Sequence, residues 1–169
     1  NNSTLTVTLA LAGTSTLTQG EGSTLNIGGT SVFTGLDAST NANTVNYTGS
    51  AQNLSVLNYY NLALSGSGIK TFAGATTIIE NLSISGTASA SLGNVNSSAN
   101  TLTLGGSSAA SGTWGSTSSA ATNTSSTYFG ISGSGELNVF TSACLWTGTT
   151  STDWNVDSNW GCGTVPTSL

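Results

Sequence analysis

The sequence is nearly empty of charge. Of 169 residues one is basic, Lys70, and six are acidic: Glu21, Asp37, Glu80, Glu136, Asp153 and Asp157. There is no His and no Arg. The first absence removes the commonest general base and metal ligand, and the second removes the usual clamp for oxyanions and phosphates. One lysine cannot release the counterions on which nucleic-acid binding depends, so nucleic acid is excluded as a partner. Proline occurs once and the net charge is −5, whereas disordered chains ordinarily carry more of both. No apolar run approaches the roughly 18 residues of a membrane-spanning helix, so membrane insertion is not expected. No leader is visible, since the chain opens directly in Asn1-Asn2-Ser3-Thr4-Leu5-Thr6-Val7, as a mature or trimmed product would.

What fills the chain is Ser, Thr, Asn and 22 Gly, with 36% hydrophobic residues, enough for a narrow core under a polar, uncharged skin. A short pattern recurs: Thr or Asn, then apolar, polar, apolar. It reads Thr4-Leu5-Thr6-Val7, Thr24-Leu25-Asn26-Ile27, Thr44-Val45-Asn46-Tyr47, Asn61-Leu62-Ala63-Leu64, Asn81-Leu82-Ser83-Ile84 and Thr101-Leu102-Thr103-Leu104. The starts lie 20, 20, 17, 20 and 20 residues apart, and Glu136-Leu137-Asn138-Val139 reads as a later member after a gap of 35. Apolar alternation of period two is the strand signal, and nothing recurs at helical spacing. Glycine closes most strands, and a second apolar cluster follows within each repeat, as at Val32 with Phe33, Leu54 with Val56, Phe72 and Leu92.

Two or three short strands per 20 residues make one turn of a coil. Such a turn buries about five side chains at roughly 1.5–3 kcal/mol each, while ordering it costs on the order of 30 kcal/mol. It cannot stand alone, so turns must stack and share their apolar faces. The expected fold is therefore all-β: a right-handed parallel β-helix, or β-solenoid, of about 20 residues per turn. An antiparallel sandwich gives no reason for the period. The same geometry accounts for the missing charge. Residues one repeat apart would sit about 4.8 Å apart on adjacent turns, where like charges repel and columns of Thr, Asn and Ser can hydrogen-bond.

Composition shifts after Ser142. The expected domains are a solenoid over 1–142 and a small Trp-rich module over 143–169. That module holds Trp146, Trp154 and Trp160 and the cysteines Cys144 and Cys162. A disulfide between the two cysteines is expected because the uncharged Ser/Thr-rich chain looks extracellular; two unpaired thiols are the alternative. The order Trp146-Thr147-Gly148, Asp153-Trp154, Asn159-Trp160, Val165-Pro166 resembles the linking motif of very large, repetitive secreted bacterial surface proteins. The stretch Tyr59-Tyr60-Asn61-Leu62-Ala63-Leu64-Ser65-Gly66-Ser67-Gly68-Ile69-Lys70-Thr71-Phe72 looks like their β-solenoid rungs. The resemblance, to filamentous-haemagglutinin-like adhesins and autotransporter passengers, implies an exported stalk or adhesin at the cell surface. In such proteins Val-Pro generally leads into another strand-rich segment, so the chain reads as one module of a longer polypeptide.

Several candidate sites follow. The tryptophans suit sugar faces, and equally a small core that caps or joins the last turn. Asp153, Asn155, Asp157 and Asn159 alternate as in a calcium loop, but Ser158 and Thr164 stand where that loop needs Gly and Glu, which favours turn hydrogen bonds to backbone. Glycoside hydrolysis needs a carboxylate pair at fixed separation, and none is evident within the repeats, so no enzyme and no cofactor is expected. A flat Thr-x-Thr array could bind ice, and Thr4-Leu5-Thr6 and Thr101-Leu102-Thr103 fit it, but the repeat strands between them read Thr-Leu-Asn, Thr-Val-Asn, Asn-Leu-Ala and Asn-Leu-Ser. The irregular stretch between Ser107 and Ser134, with Trp114, Tyr128 and Phe129, is either a binding loop or one more poorly patterned coil. The expectation is a non-catalytic structural or adhesive module. Its partners are further copies stacked head-to-tail, neighbouring modules of the same polypeptide, or a glycan or surface receptor.

Overall fold

A computed structural model describes residues 2–54, 58–140, 148, 150–159 and 165. Strands follow one another in short runs. The first coils hold β1 (Thr4–Val7), β2 (Ala10–Thr18), β3 (Thr24–Ile27), β4 (Thr30–Asp37), β5 (Thr44–Tyr47), β6 (Gln52–Asn53) and β7 (Asn58–Tyr59). Next come β8 (Asn61–Leu64), β9 (Ser67–Thr71), β10 (Thr77–Ile84), β11 (Thr87–Ser91) and β12 (Ser97–Leu104). The chain then makes β13 (Ser107–Ser108), β14 (Gly112–Gly115), β15 (Asn123–Thr124), α1 (Ser126–Phe129) and β16 (Glu136–Val139).

The fold is a parallel β-solenoid of about five turns. Its first face stacks β1, β3, β5, β8, β10 and β12 in that order. The pairing sets Leu5, Leu25, Val45, Leu62, Leu82 and Leu102 in one column and Val7, Ile27, Tyr47, Leu64, Ile84 and Leu104 in another. Neighbours in these columns are one repeat apart, so the 17-residue step is a shorter coil and not a break in the stack. The inner members from Leu25 to Leu102 and from Ile27 to Ile84 are fully buried, as alternation on a sheet with one wet face requires. Ala38, Tyr59, Ile78, Ala99 and Val139 form a third buried column. Tyr47 and Tyr59 reach across the narrow core, ring edge to ring face at 6.5 Å, and join hydroxyls at 3.1 Å.

The second face is divided. β2 pairs β4, and β6, β9 and β11 form a separate sheet. Close approach of successive turns explains the glycines at the corners. A Cβ on Gly49 would lie 2.1 Å from the Gly28 carbonyl oxygen, and one on Gly66, whose φ is +73°, would meet the Thr48 carbonyl oxygen at the same distance.

Two sequence expectations change. Glu136–Val139 follows β12 in the same sheet, but it pairs in parallel with Ser97–Ala99, offset by 40 residues, and not with Thr101–Leu104. The intervening stretch is neither a coil nor a free loop. β13 turns back antiparallel onto Thr103 and Leu104, β14 runs antiparallel to β16, and Phe129 of α1 is buried against the core. These segments lie against β12 and β11 of the last turn, where Leu102, Ala88 and Ala90 would otherwise lose their apolar cover.

Candidate functional site

The outward positions of the first face carry polar side chains, and adjacent turns bring them into contact along the axis. The Asn46 Nδ2 donates to Asn26 Oδ1 at 3.1 Å, and the Asn26 Nδ2 donates to Thr6 Oγ1 at 3.2 Å. Ser65 Oγ donates to Asn46 Oδ1 at 2.8 Å. Further along, Thr101 and Thr103 hydroxyls both donate to Asn81 Oδ1, at 3.0 and 3.2 Å. This ladder engages the donors and acceptors that a flat Thr array would hold free for ice. On the first face the Thr-x-Thr pattern of the two end strands is interrupted by Asn, Ala and Ser in the strands between them.

Lys70, the single base, is fully buried. Its Nζ donates to the Gly49 and Ser50 carbonyls, both at 2.6 Å, to Gln52 Oε1 at 2.9 Å and to the Ser67 carbonyl at 3.1 Å. Gln52 sits directly beside it in register. The Gln52 Nε2 donates to the Ile27 and Gly29 carbonyls, at 2.9 and 2.7 Å, and its Oε1 also accepts from the Gly49 amide at 2.8 Å. This cluster lies where β4 and β6 fail to pair. The Ile27 and Gly49 carbonyls also accept backbone bonds from the Thr48 and Ser67 amides, and the two side chains add donors to these and to the Gly29, Ser50 and Ser67 carbonyls. Burial pushes the Lys70 ammonium below its ordinary range, while four neutral oxygens around it oppose that shift. The cluster has no carboxylate and its donors are engaged, so its chemistry is structural. Nothing in the sequence pattern marked Lys70 as interior, although Ala90 one turn later, at an inward position, was a usable hint.

Of the named aromatics, Trp114 packs on the core beside Phe129, rings 6.3 Å apart, and its Nε1 donates to the Ala110 carbonyl at 2.8 Å. Trp154 is 58% exposed, whereas Trp114 is half-buried. Trp146, Trp160, Cys144 and Cys162 lie outside the described residues, and so does the expected disulfide.

In the calcium candidate, Asp153 Oδ1 accepts from the Asn155 amide at 3.0 Å, and Asp157 Oδ1 accepts from the Val165 amide at 2.8 Å. The organiser is Asn159, fully buried. Its Oδ1 accepts from the Thr150 and Ser151 amides, both at 2.9 Å, and its Nδ2 donates to Ser151 Oγ and the Asp153 carbonyl. These side chains hold a loop in shape through its own backbone. Among the described residues no three of His, Cys, Asp or Glu gather as metal ligands would. Asp37 behaves similarly: a side-chain hydrogen bond from Thr40, with the Thr40 and Ser39 amides at 3.1 and 3.3 Å, holds its carboxyl below the usual range.

A groove of about 540 Å³ opens between the unpaired strands β4 and β6, lined by Thr30, Val32, Gln52, Asn53, Ile69 and Thr71 among others. No helix among the described residues is long and apolar enough to cross a membrane. No protein-family model, no curated protein and no solved structure matches this chain.

Proposed function

We propose that this chain is a non-catalytic scaffold module, a rigid stalk segment of an extracellular bacterial surface protein. The observation that carries the reading is the axial ladder of Thr, Asn and Ser on the first face. Its polar groups bond to the next turn of the same chain, an arrangement that stiffens a rod and leaves little for a ligand. The secreted setting rests on the uncharged Ser/Thr-rich composition and on the Trp-Thr-Gly to Val-Pro motif in residues 146–166.

Pulling the chain from its two ends in an optical trap tests this. A stalk of stacked turns should yield stepwise, each step releasing about 20 residues, or roughly 70 Å of extended chain. Release of the whole solenoid in one low-force event would contradict the role. The second reading, a glycan-binding module, is favoured by the exposure of Trp154 beside Asp153 and Asn155. A glycan array giving a signal lost in Trp154→Ala would replace the scaffold reading with that one.

A further inference from the structure

We propose that the hairpin at Gly105-Gly106 is a guard built into the fold, which lays β13 over the edge of β12 and closes that edge to a second copy of this chain. Such a guard serves a stalk and a glycan binder alike. The sequence departs from its repeat here by a single exchange, glycine for serine. Ser65, Ser85 and Gly105 follow one another in a column, since the Ser85 amide donates to the Leu64 carbonyl and the Gly105 amide to the Ile84 carbonyl, both at 2.9 Å. In the two earlier turns, Ser65-Gly66 and Ser85-Gly86, only the glycine has a positive φ, +73° and +67°. The chain then runs on into β9 and β11, which pair in parallel. At the next turn both residues are glycine, with φ of +59° and +87°. A type I′ turn, the mirror image of type I, has φ of about +60° and +90°, and it joins antiparallel strands through two residues. The chain therefore reverses, pairing Leu104 with Ser107 and Thr103 with Ser108. Among the described residues only glycine adopts a positive φ, so the repeat's serine at position 105 would disfavour this path.

What the hairpin covers explains why it is needed. Edge strands are normally protected by charge, proline, a bulge or a covering segment. β12 contains no charged residue and no proline. β16 pairs with its residues 97–99, and residues 101–104 alternate Thr and Leu. Over that stretch the two pairs of β13 and a bond from the Ala109 amide to the Leu102 carbonyl, at 2.8 Å, supply the cover. Leu102 is buried and Leu104 packs against the core. Stripped of β13, this neutral edge would offer its backbone to a partner, and an identical edge is complementary to it. Two like edges meet about a twofold axis, which runs the strands antiparallel and closes the assembly at two. In a chain of net charge −5, a contact without charge lets two copies approach without local repulsion. The turn itself separates two constraints. A Cβ at Gly105 would overlap the Tyr128 hydroxyl, whereas one at Gly106 meets nothing within 4 Å. At Gly106 only the backbone angle resists substitution.

Three variants of the 169-residue chain test the guard, each followed by backbone nuclear Overhauser contacts and by sedimentation equilibrium. Gly106→Val places a β-branched residue at a positive φ, which such residues rarely adopt. Ala109→Pro leaves the turn alone and deletes the amide that bonds Leu102. Both should lose the contact between Thr103 and Ser108 while keeping the one between Leu82 and Leu102, and both should self-associate at least tenfold more strongly than the parent. Gly106→Asn, a residue that tolerates the left-handed region, should keep the hairpin and match the parent. Survival of the Thr103 to Ser108 contact in both Gly106→Val and Ala109→Pro would overturn the proposal. So would its loss without stronger self-association, or self-association of Gly106→Asn equal to that of Gly106→Val. None of these touches the stepwise unfolding that tests the scaffold reading.

Discussion

Replacing Lys70 by Met keeps the length of the side chain and deletes its charge and donors. Two effects oppose each other. Removing a buried ammonium relieves a desolvation cost of several kcal/mol. Against this, the Gly49, Ser50 and Ser67 carbonyls lose a donor, while the Gly49 carbonyl keeps the Ser67 amide and Gln52 Oε1 keeps the Gly49 amide. Hydrogen bonds to a charged donor contribute about 1.5–3 kcal/mol each, and a stranded carbonyl costs about 1–3 kcal/mol. Those three carbonyls are partly buried, so water can reach them and the low end applies. The four bonds from the ammonium, at about 1.5 kcal/mol each, come to about 6 kcal/mol, and a desolvation relief of about 3 kcal/mol leaves a net loss of about 3 kcal/mol. For a domain of this size that is a fall in Tm of about 6–12 °C. Urea unfolding followed by circular dichroism, alongside a thermal melt, measures both. Lys70→Met as stable as the parent, or more so, would mean that desolvation dominates and that the carbonyl cage does not hold the divided second face together.

Further outcomes follow from the same packing. Leu82→Ala, inside the buried column from Leu25 to Leu102, should cost about 2–5 kcal/mol in urea unfolding. Gly49→Ala forces a methyl onto the Gly28 carbonyl and should lower the urea midpoint, whereas Gly93→Ser, where a side chain meets nothing within 4 Å, should cost only the strain of its positive φ. Because burial lowers the Lys70 pKa below 10.5 in the folded state, the unfolded chain binds more protons between the two values. Stability should then rise as pH climbs through the folded value toward 10.5, and the rise should be missing in Lys70→Met when unfolding is measured across that range.

How much of this was legible beforehand depends on whether a residue's neighbours lie at the repeat distance. The columns through Leu25, Val45, Leu62, Leu82 and Leu102 could be read directly, because alternation fixed which side faces inward and the period fixed what lies above and below. Even the short step from Thr44 to Asn61 kept the register. Lys70 escaped because a long aliphatic stem with a polar tip occupies an inward position only where several turn carbonyls converge on that tip, and no periodicity in the sequence marks such a place. The segment from Ser107 to Ser134 escaped for a different reason. Its contacts are antiparallel returns onto the last turn, as at Leu104 with Ser107, and no periodicity encodes them. Glu136–Val139 carries the repeat's pattern yet pairs with Ser97–Ala99, because the last turn of the first face was already occupied by β13. Asn159 could be placed in an alternating Asp/Asn run, but its role at the centre of the loop depends on a fold of 148–159 that the spacing does not specify.

The central claim is that residues one repeat apart are axial neighbours in parallel strands. Nuclear Overhauser contacts between backbone protons, resolved in a ¹⁵N-labelled sample, test it most directly. The structure predicts contacts at constant difference, linking Leu25 to Val45, Val45 to Leu62, Leu62 to Leu82 and Leu82 to Leu102. Contacts at constant sum, running down hairpins between consecutive strands such as β3 and β4, would contradict it.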